Sequence, residues 1–246
     1  MKRVPLSRGV FLIPSLCTTA SLFCGFYSII RSIAGDYYHA AVAIFLAAIF
    51  DMLDGRIARM THSESDFGVE YDSLVDLVSF GLAPGILLYL WSLKGFGRIG
   101  WLAVFLYFAC GALRLARYNV QIETVEKKKF QGLPIPSAAL ILASLFIFYQ
   151  SGLGPEVLKK PLSLALPFLL GPLMVSRIRY RSFKGMDLRS RDAFYHLVVA
   201  VVVLFLIALN PEVMLFVSFF AYILSGPLEE LILWLGERRR RRGVTV

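Results

Sequence analysis

The feature that most constrains this chain is a succession of apolar runs, each close to the length a helix needs to cross a bilayer. A spanning helix takes about 20 mostly apolar residues. About eight stretches qualify: residues 10–33, 38–53, 73–93, 99–115, 134–150, 161–175, 194–209 and 213–235. The sixth is short and proline-rich and carries the weakest signal. Over the whole chain 57% of residues are hydrophobic and only 17% charged, with a mean hydropathy of +0.67. That balance excludes a soluble globular domain, which needs more polar surface. The expected fold is all-α, a polytopic membrane bundle forming one domain over 1–246. No internal repeat or linker divides it. No cleavable signal peptide is expected, because the run behind Lys2, Arg3 and Arg8 is long enough to stay as a span.

The formal charge of +9 would suggest nucleic acid in a soluble protein. Here the cations sit in short loops between apolar runs, so they read as an orientation signal, and no nucleic-acid partner is expected. They cluster at the N-terminus, at Arg56 and Arg59, over 114–129, over 177–191 and at Arg238 to Arg242. With eight alternating spans these fall on one side, which places both termini in the cytoplasm. Lys94, Arg98, Lys159 and Lys160 fall on the other side, so the signal is a bias. The Arg238 to Arg242 run reads as a topology signal that also suits anionic headgroups. Lys127 to Lys129 read as a solvated loop, or as an attractor of an anionic lipid. Cys17, Cys24 and Cys110 lie in apolar runs without metal or disulfide spacing.

Against this greasy background the stretch DMLDGRIARMTHSESDFGVEYDSLVD, from Asp51 to Asp76, is anomalous. Asp51 and Asp54 are three apart, and Asp72 and Asp76 are four apart, so each pair shares a helix face. Two antiparallel helices joined by a short loop would gather all four carboxylates at the membrane edge. Four such groups cannot all stay ionised there unpaired. Arg56 and Arg59 supply only two positive charges, so divalent metal is the natural remainder, and oxygen donors suit magnesium or manganese. Two metals would need this many carboxylates, and metal pairs serve phosphoryl chemistry. Gly55 and Ala58 lack bulk and let a ligand approach the backbone. Arg59 offers a fork of donors to phosphate. Gly68 frees space in the loop or at the start of the next helix. His62 reads as a solvated loop residue.

The spacing D-x2-D-G-x2-A-R-x8-G-x3-D-x3-D resembles the signature of the CDP-alcohol phosphotransferase family at every fixed position: Asp51, Asp54, Gly55, Ala58, Arg59, Gly68, Asp72 and Asp76. The resemblance implies an enzyme that moves a phosphatidyl-type group from a CDP-linked lipid onto a hydroxyl, releasing CMP. It implies metal binding by Asp51, Asp54, Asp72 and Asp76, and nucleotide contacts at Gly55, Ala58, Arg59, Gly68 and Thr18. It makes Asp76 the general base on the attacking hydroxyl. It also implies a homodimer, with a catalytic core over about 10–151 and additional helices over about 161–235. No serine, cysteine or histidine occupies a fixed position, so direct displacement without a covalent intermediate is expected. The chain departs from the pattern at Ser15 and Ser21, where members often carry Asn, which puts a nucleotide contact there in doubt.

The flanks narrow the acceptor. IPSLCTTASLFCGFYSII, LVSFGLAPG, ALRLARYNV, FQGLPIPSAA and MVSRIRYRSFKG resemble the serine-accepting, membrane-embedded branch of that family, over residues 14–184. That implies CDP-diacylglycerol and L-serine as substrates, in a bacterial or archaeal cytoplasmic membrane with the site facing the cytoplasm. Acyl and ether lipid backbones are not distinguished. Serine's carboxylate needs a cation, and Arg114 and Arg117 lie on one face near the end of the fourth run. Both also read as snorkelling anchors. Ser79, one turn beyond Asp76, reads as pocket lining or as a small packing residue. Asn119 and Tyr118 are further acceptor candidates. The rivals are glycerol 3-phosphate or inositol phosphate as acceptor, and, from another class, an ion-coupled transporter, which gives no reason for the Gly, Ala and Arg positions.

Overall fold

The computed structural model describes residues 12–61, 65–122, 132–152, 154–178, 180, 198, 201, 205 and 208–243. Among them every regular element is helical. Helix α1 (Leu12–Ile33) turns back into α2 (Tyr37–Met60) through Gly35, whose φ of 80° suits glycine. The Asp36 side chain caps α2 by accepting from the His39 N–H at 3.3 Å. The expected span at 38–53 lies inside α2, which continues to Met60 and so keeps Gly55, Ala58 and Arg59 on the helix.

After residues 62–64, which lie outside the described set together with the expectation placed on His62, α3 (Asp66–Asp76) begins. Ser65 is its N-cap, and its Oγ accepts from the Gly68 N–H at 3.1 Å. Gly68 therefore belongs to the first helical turn. The chain then runs helically without a break through a π turn (Leu77–Leu82), α4 (Ala83–Leu88), a second π turn (Tyr89–Leu93) and a short 3₁₀ turn (Lys94–Phe96). Helix α5 (Arg98–Ile122) returns to the starting end. Residues 123–131, with Lys127 to Lys129, lie outside the described set.

Helix α6 (Ile135–Gln150) is buried around most of its circumference, by Ile135, Ala138, Ala139, Ile141, Leu142, Leu145 and Phe146 among others. An all-round apolar sequence leaves no wet face, so this helix sits at the centre. Its alanines let neighbouring backbones come close. Helix α7 (Glu156–Val175) stays continuous despite Pro161, Pro167 and Pro172, and starts before the proline-rich run that marked it in the sequence. Prolines persist in packed apolar helices because neighbours satisfy the freed carbonyls. Helix α8 (Pro211–Gly243) packs against α6; the side chains of Arg238 to Arg242 lie outside the described set, as does nearly all of the expected span 194–209.

Five of these helical stretches are long and apolar enough to cross a membrane: Pro14–Ile33, Asp66–Phe96, Arg98–Val120, Glu156–Val175 and Pro211–Ile232. α6 is shorter, about 24 Å at the usual helical rise. Large apolar side chains such as Phe23, Phe26, Phe105 and Ile232 point outward, as a lipid-facing surface requires. Alternating helices bring the start of α1, the end of α2, the start of α3, the end of α5 and the end of α7 to one end of the bundle.

Candidate active site

That end is where the carboxylates meet. One carboxylate oxygen from each of Asp51, Asp72 and Asp76 lies within 4.8 Å of the others. The group joins two helices: Asp51 comes from α2, Asp72 and Asp76 from α3. The carboxyls of Asp76 and Asp51 approach to hydrogen-bonding range. Two carboxylates in that position need a proton or a cation between them. Asp76 Oδ1 is buried and has no hydrogen-bond partner among the described residues. Half-buried carboxylate oxygens gathered from three residues fit a hard divalent cation.

Asp54 lies outside that 4.8 Å group but is an electrostatic neighbour of Asp51. Its side chain faces Thr18 of α1 and is buried, with Oδ2 unsatisfied. The Thr18 hydroxyl also reaches the Pro14 carbonyl at 3.0 Å. Along the outer turn of α2 the Arg59 guanidinium folds back over Gly55, where a Cβ would sit 3.7 Å from its Nη1. Ala58 is half-buried on the same turn. Gly68 stands across the short α2–α3 connection. Thr18 and Asp54 thus face each other across α1 and α2, and Gly55 and Arg59 share one turn of α2.

Helix α5 supplies the cations. Arg114 is a cationic neighbour of Asp76, and its Nε is buried without a hydrogen-bond partner among the described residues. Arg117 is engaged elsewhere: its guanidinium donates to the carbonyls of Val175 at 2.8 Å and Ser176 at 3.4 Å, tying α5 to the end of α7. Asn119 accepts from the Ser73 hydroxyl at 3.1 Å and donates to Glu70 at 3.2 Å, tying α5 to α3. Ser79 lies in the π turn directly after Asp76. It is fully buried and donates to the Ser21 carbonyl at 3.1 Å. Ser21 in turn donates to the Ala47 carbonyl, so this departure from the usual Asn is a tie between α1 and α2. A Cβ on Gly25 would stand 2.7 Å from Ser79 Cα, so only glycine lets α1 approach the π turn this closely. π turns interrupt helices where a side chain must be re-aimed, and this one follows the carboxylate at the heart of the trio.

Residues 11–176 match the family described as CDP-alcohol phosphatidyltransferase. The chain belongs to that family. A Helicobacter pylori protein named CDP-diacylglycerol–serine O-phosphatidyltransferase is 39% identical over 175 residues, covering 71% of this chain and 74% of that one. A Methanocaldococcus jannaschii protein of the same name is 37% identical over 166 residues, 67% of this chain and 75% of its own. A Methanothermobacter thermautotrophicus protein named archaetidylserine synthase is 39% identical over 176 residues, 71% of each chain.

Several residues of this CDP-alcohol phosphatidyltransferase site carried no signal of their own in the sequence. The Tyr71 hydroxyl meets the Thr19 hydroxyl at 3.0 Å, locking α3 to α1 beside Asp72. Glu70 and Ser73 flank the same carboxylate and hold Asn119. Tyr71, Glu70 and Ser73 occupy variable places inside the motif, where only the partner helices reveal their work.

Proposed function

We propose that the protein transfers the phosphatidyl group of CDP-diacylglycerol to the hydroxyl of L-serine, giving phosphatidylserine and CMP. One observation carries the reading: the spacing of the motif becomes, in three dimensions, a convergence of carboxylate oxygens from Asp51, Asp72 and Asp76 within 4.8 Å of one another. Relatives named CDP-diacylglycerol–serine O-phosphatidyltransferase and archaetidylserine synthase support the acceptor.

In this account Asp51, Asp54, Asp72 and Asp76 would hold divalent metal, Mg2+ or Mn2+, with two ions per site. Bound there, it would supply positive charge to the diphosphate and to the leaving CMP. Thr18, Gly55, Ala58, Arg59 and Gly68 hold the nucleotide end, with Arg59 as a phosphate clamp. The acyl chains stay in the bilayer. Arg114 takes the serine carboxylate, while Arg117, Asn119 and Ser79 act on the acceptor by fixing the helices that carry Arg114 and Asp76. Asp76 accepts the proton of the serine hydroxyl as its oxygen bonds to the phosphatidyl phosphorus, and the bond from that phosphorus to the CMP oxygen breaks. The site end faces the cytoplasm, as the cation bias directs, with both termini on that side. The working unit is a homodimer.

The test is CMP release from CDP-diacylglycerol by purified protein with Mg2+ or Mn2+, offering L-serine, glycerol 3-phosphate and inositol phosphate separately. Release with serine alone, matched by phosphatidylserine formed, is expected. Release with another acceptor instead overturns the serine assignment and keeps the displacement chemistry.

A further inference from the structure

Helix α3 carries two of the clustered carboxylates, yet burial barely holds it. Of its 11 residues only Val75 is buried. Leu74, which points away from the carboxylate face, is 64% exposed. The chain that follows is well seated, with Ser79, Phe80 and Gly81 of the first π turn all buried. The core therefore anchors the Asp76 end of α3. It leaves the roll of the Asp72 turn about the helix axis unset.

Hydrogen bonds set that roll, from two sides. The Tyr71 and Thr19 hydroxyls meet at 3.0 Å. The single proton of the Thr19 hydroxyl goes to the Ser15 carbonyl at 2.7 Å. Tyr71 is therefore the donor, and Thr19 Oγ1 relays the tie to the backbone of α1. The Phe67 ring, one turn earlier, lies nearly parallel to the Tyr71 ring with centroids 5.9 Å apart. On the other side Asn119 of α5 reaches the Ser73 hydroxyl at 3.1 Å and donates to Glu70 at 3.2 Å. At about 100° per residue, Tyr71 stands about 120° from the midline of Asp72 and Asp76 in one direction. Ser73 and Glu70 stand about 80° and about 140° from it in the other. The carboxylate face lies between the two ties, and rolling α3 either way strains one of them.

We propose that Tyr71 is a positioning residue of the metal site: its bond to Thr19 opposes the Asn119 tie and fixes the roll of α3 that turns Asp72 toward Asp51. This rests on the reading above that these carboxylates hold divalent metal.

The experiment uses the full chain in detergent, as wild type, Tyr71→Phe, Thr19→Val, Thr19→Ser and the Tyr71→Phe/Thr19→Val double variant. Mn2+ binding is read directly by electron paramagnetic resonance with CMP present and no acceptor, so no turnover enters the measurement. Metal-free thermal melting reports the fold. Tyr71→Phe is expected to weaken Mn2+ binding about tenfold with metal-free melting close to wild type. Thr19→Val is expected to match it, and the double variant to bind no worse than either, because all three lose the same bond. Thr19→Ser keeps the hydroxyl and should bind Mn2+ as wild type does. Unchanged Mn2+ affinity in Tyr71→Phe, with or without a lower melting temperature, overturns the proposal. So do losses in the two single variants that add in the double. If Tyr71→Phe does not fold, the Thr19 pair decides: loss in Thr19→Val with retention in Thr19→Ser supports the proposal, and equal affinity in the two overturns it. Wild type that takes up no Mn2+ removes the metal reading and this inference together. Wild-type uptake with unchanged variants removes the inference alone.

Discussion

The two ends of the bundle are held together by different forces. At the site end the helices are joined by directional side-chain hydrogen bonds: Thr19 to Tyr71, Ser73 to Asn119, Arg117 to the end of α7. At the opposite end they are joined mainly by aromatic packing. Trp91 meets Phe146 at 5.2 Å and Tyr149 at 6.0 Å between ring centroids, Tyr37 meets Phe146 at 6.1 Å, and the Lys159 ammonium lies 5.1 Å from the centre of the Trp91 ring. Ring packing is tolerant of small shifts and stabilises through buried area. Hydrogen bonds between side chains add little net stability but fix angles. The aromatic end therefore holds the bundle together, and the polar end aims it.

The comparison breaks if rate and stability respond alike at both ends. Asp76→Asn carries the largest expected effect, a fall in kcat of about 10²–10⁴-fold, with CMP binding retained; near-normal turnover would remove Asp76 from the role of base. Asp51→Asn is next and should raise the divalent ion concentration needed for half-maximal rate by about tenfold or more, read in a metal titration. Trp91→Ala should leave kcat per folded molecule within about twofold while costing about 3–5 kcal/mol of stability, read by thermal melting in detergent.

The smallest expected effect lies at Asp36, in the turn between α1 and α2. His39 beside it, with help from Arg31, holds this carboxyl below the ordinary carboxylate range. A carboxyl whose folded value is depressed contributes stability above its unfolded value of 3.8 and loses it as pH falls through the folded value. The melting difference between wild type and Asp36→Asn should accordingly be flat at neutral pH and shrink only in acid. Since the group is exposed, that difference should be slight, and activity should be untouched.

Much of the site was legible because helix geometry converts spacing into faces. Asp72 and Asp76, four apart, differ by about 40° around α3, and both join the trio. Asp51 and Asp54, three apart, differ by about 60° and by a rise of about 4.5 Å. That turn is enough to direct Asp54 at Thr18 instead. Which neighbour waits on that face is a property of packing, and spacing does not contain it. The same limit applies to Ser79, which reads as pocket lining or as a packing residue until its hydroxyl is found on the Ser21 carbonyl. The central place of α6 was not legible either, since a helix apolar on every side names no preferred neighbour.

The central claim is that chemistry runs at the carboxylate end and depends on divalent metal held there. Its most direct test is serine-dependent CMP release titrated with Mg2+ and Mn2+ in wild type, Asp72→Asn and Trp91→Ala, each corrected for folded fraction. The account predicts no release without divalent metal, a shifted metal requirement in Asp72→Asn, and a wild-type requirement in Trp91→Ala. Release in the presence of excess chelator, or one metal requirement shared by all three proteins, would contradict it.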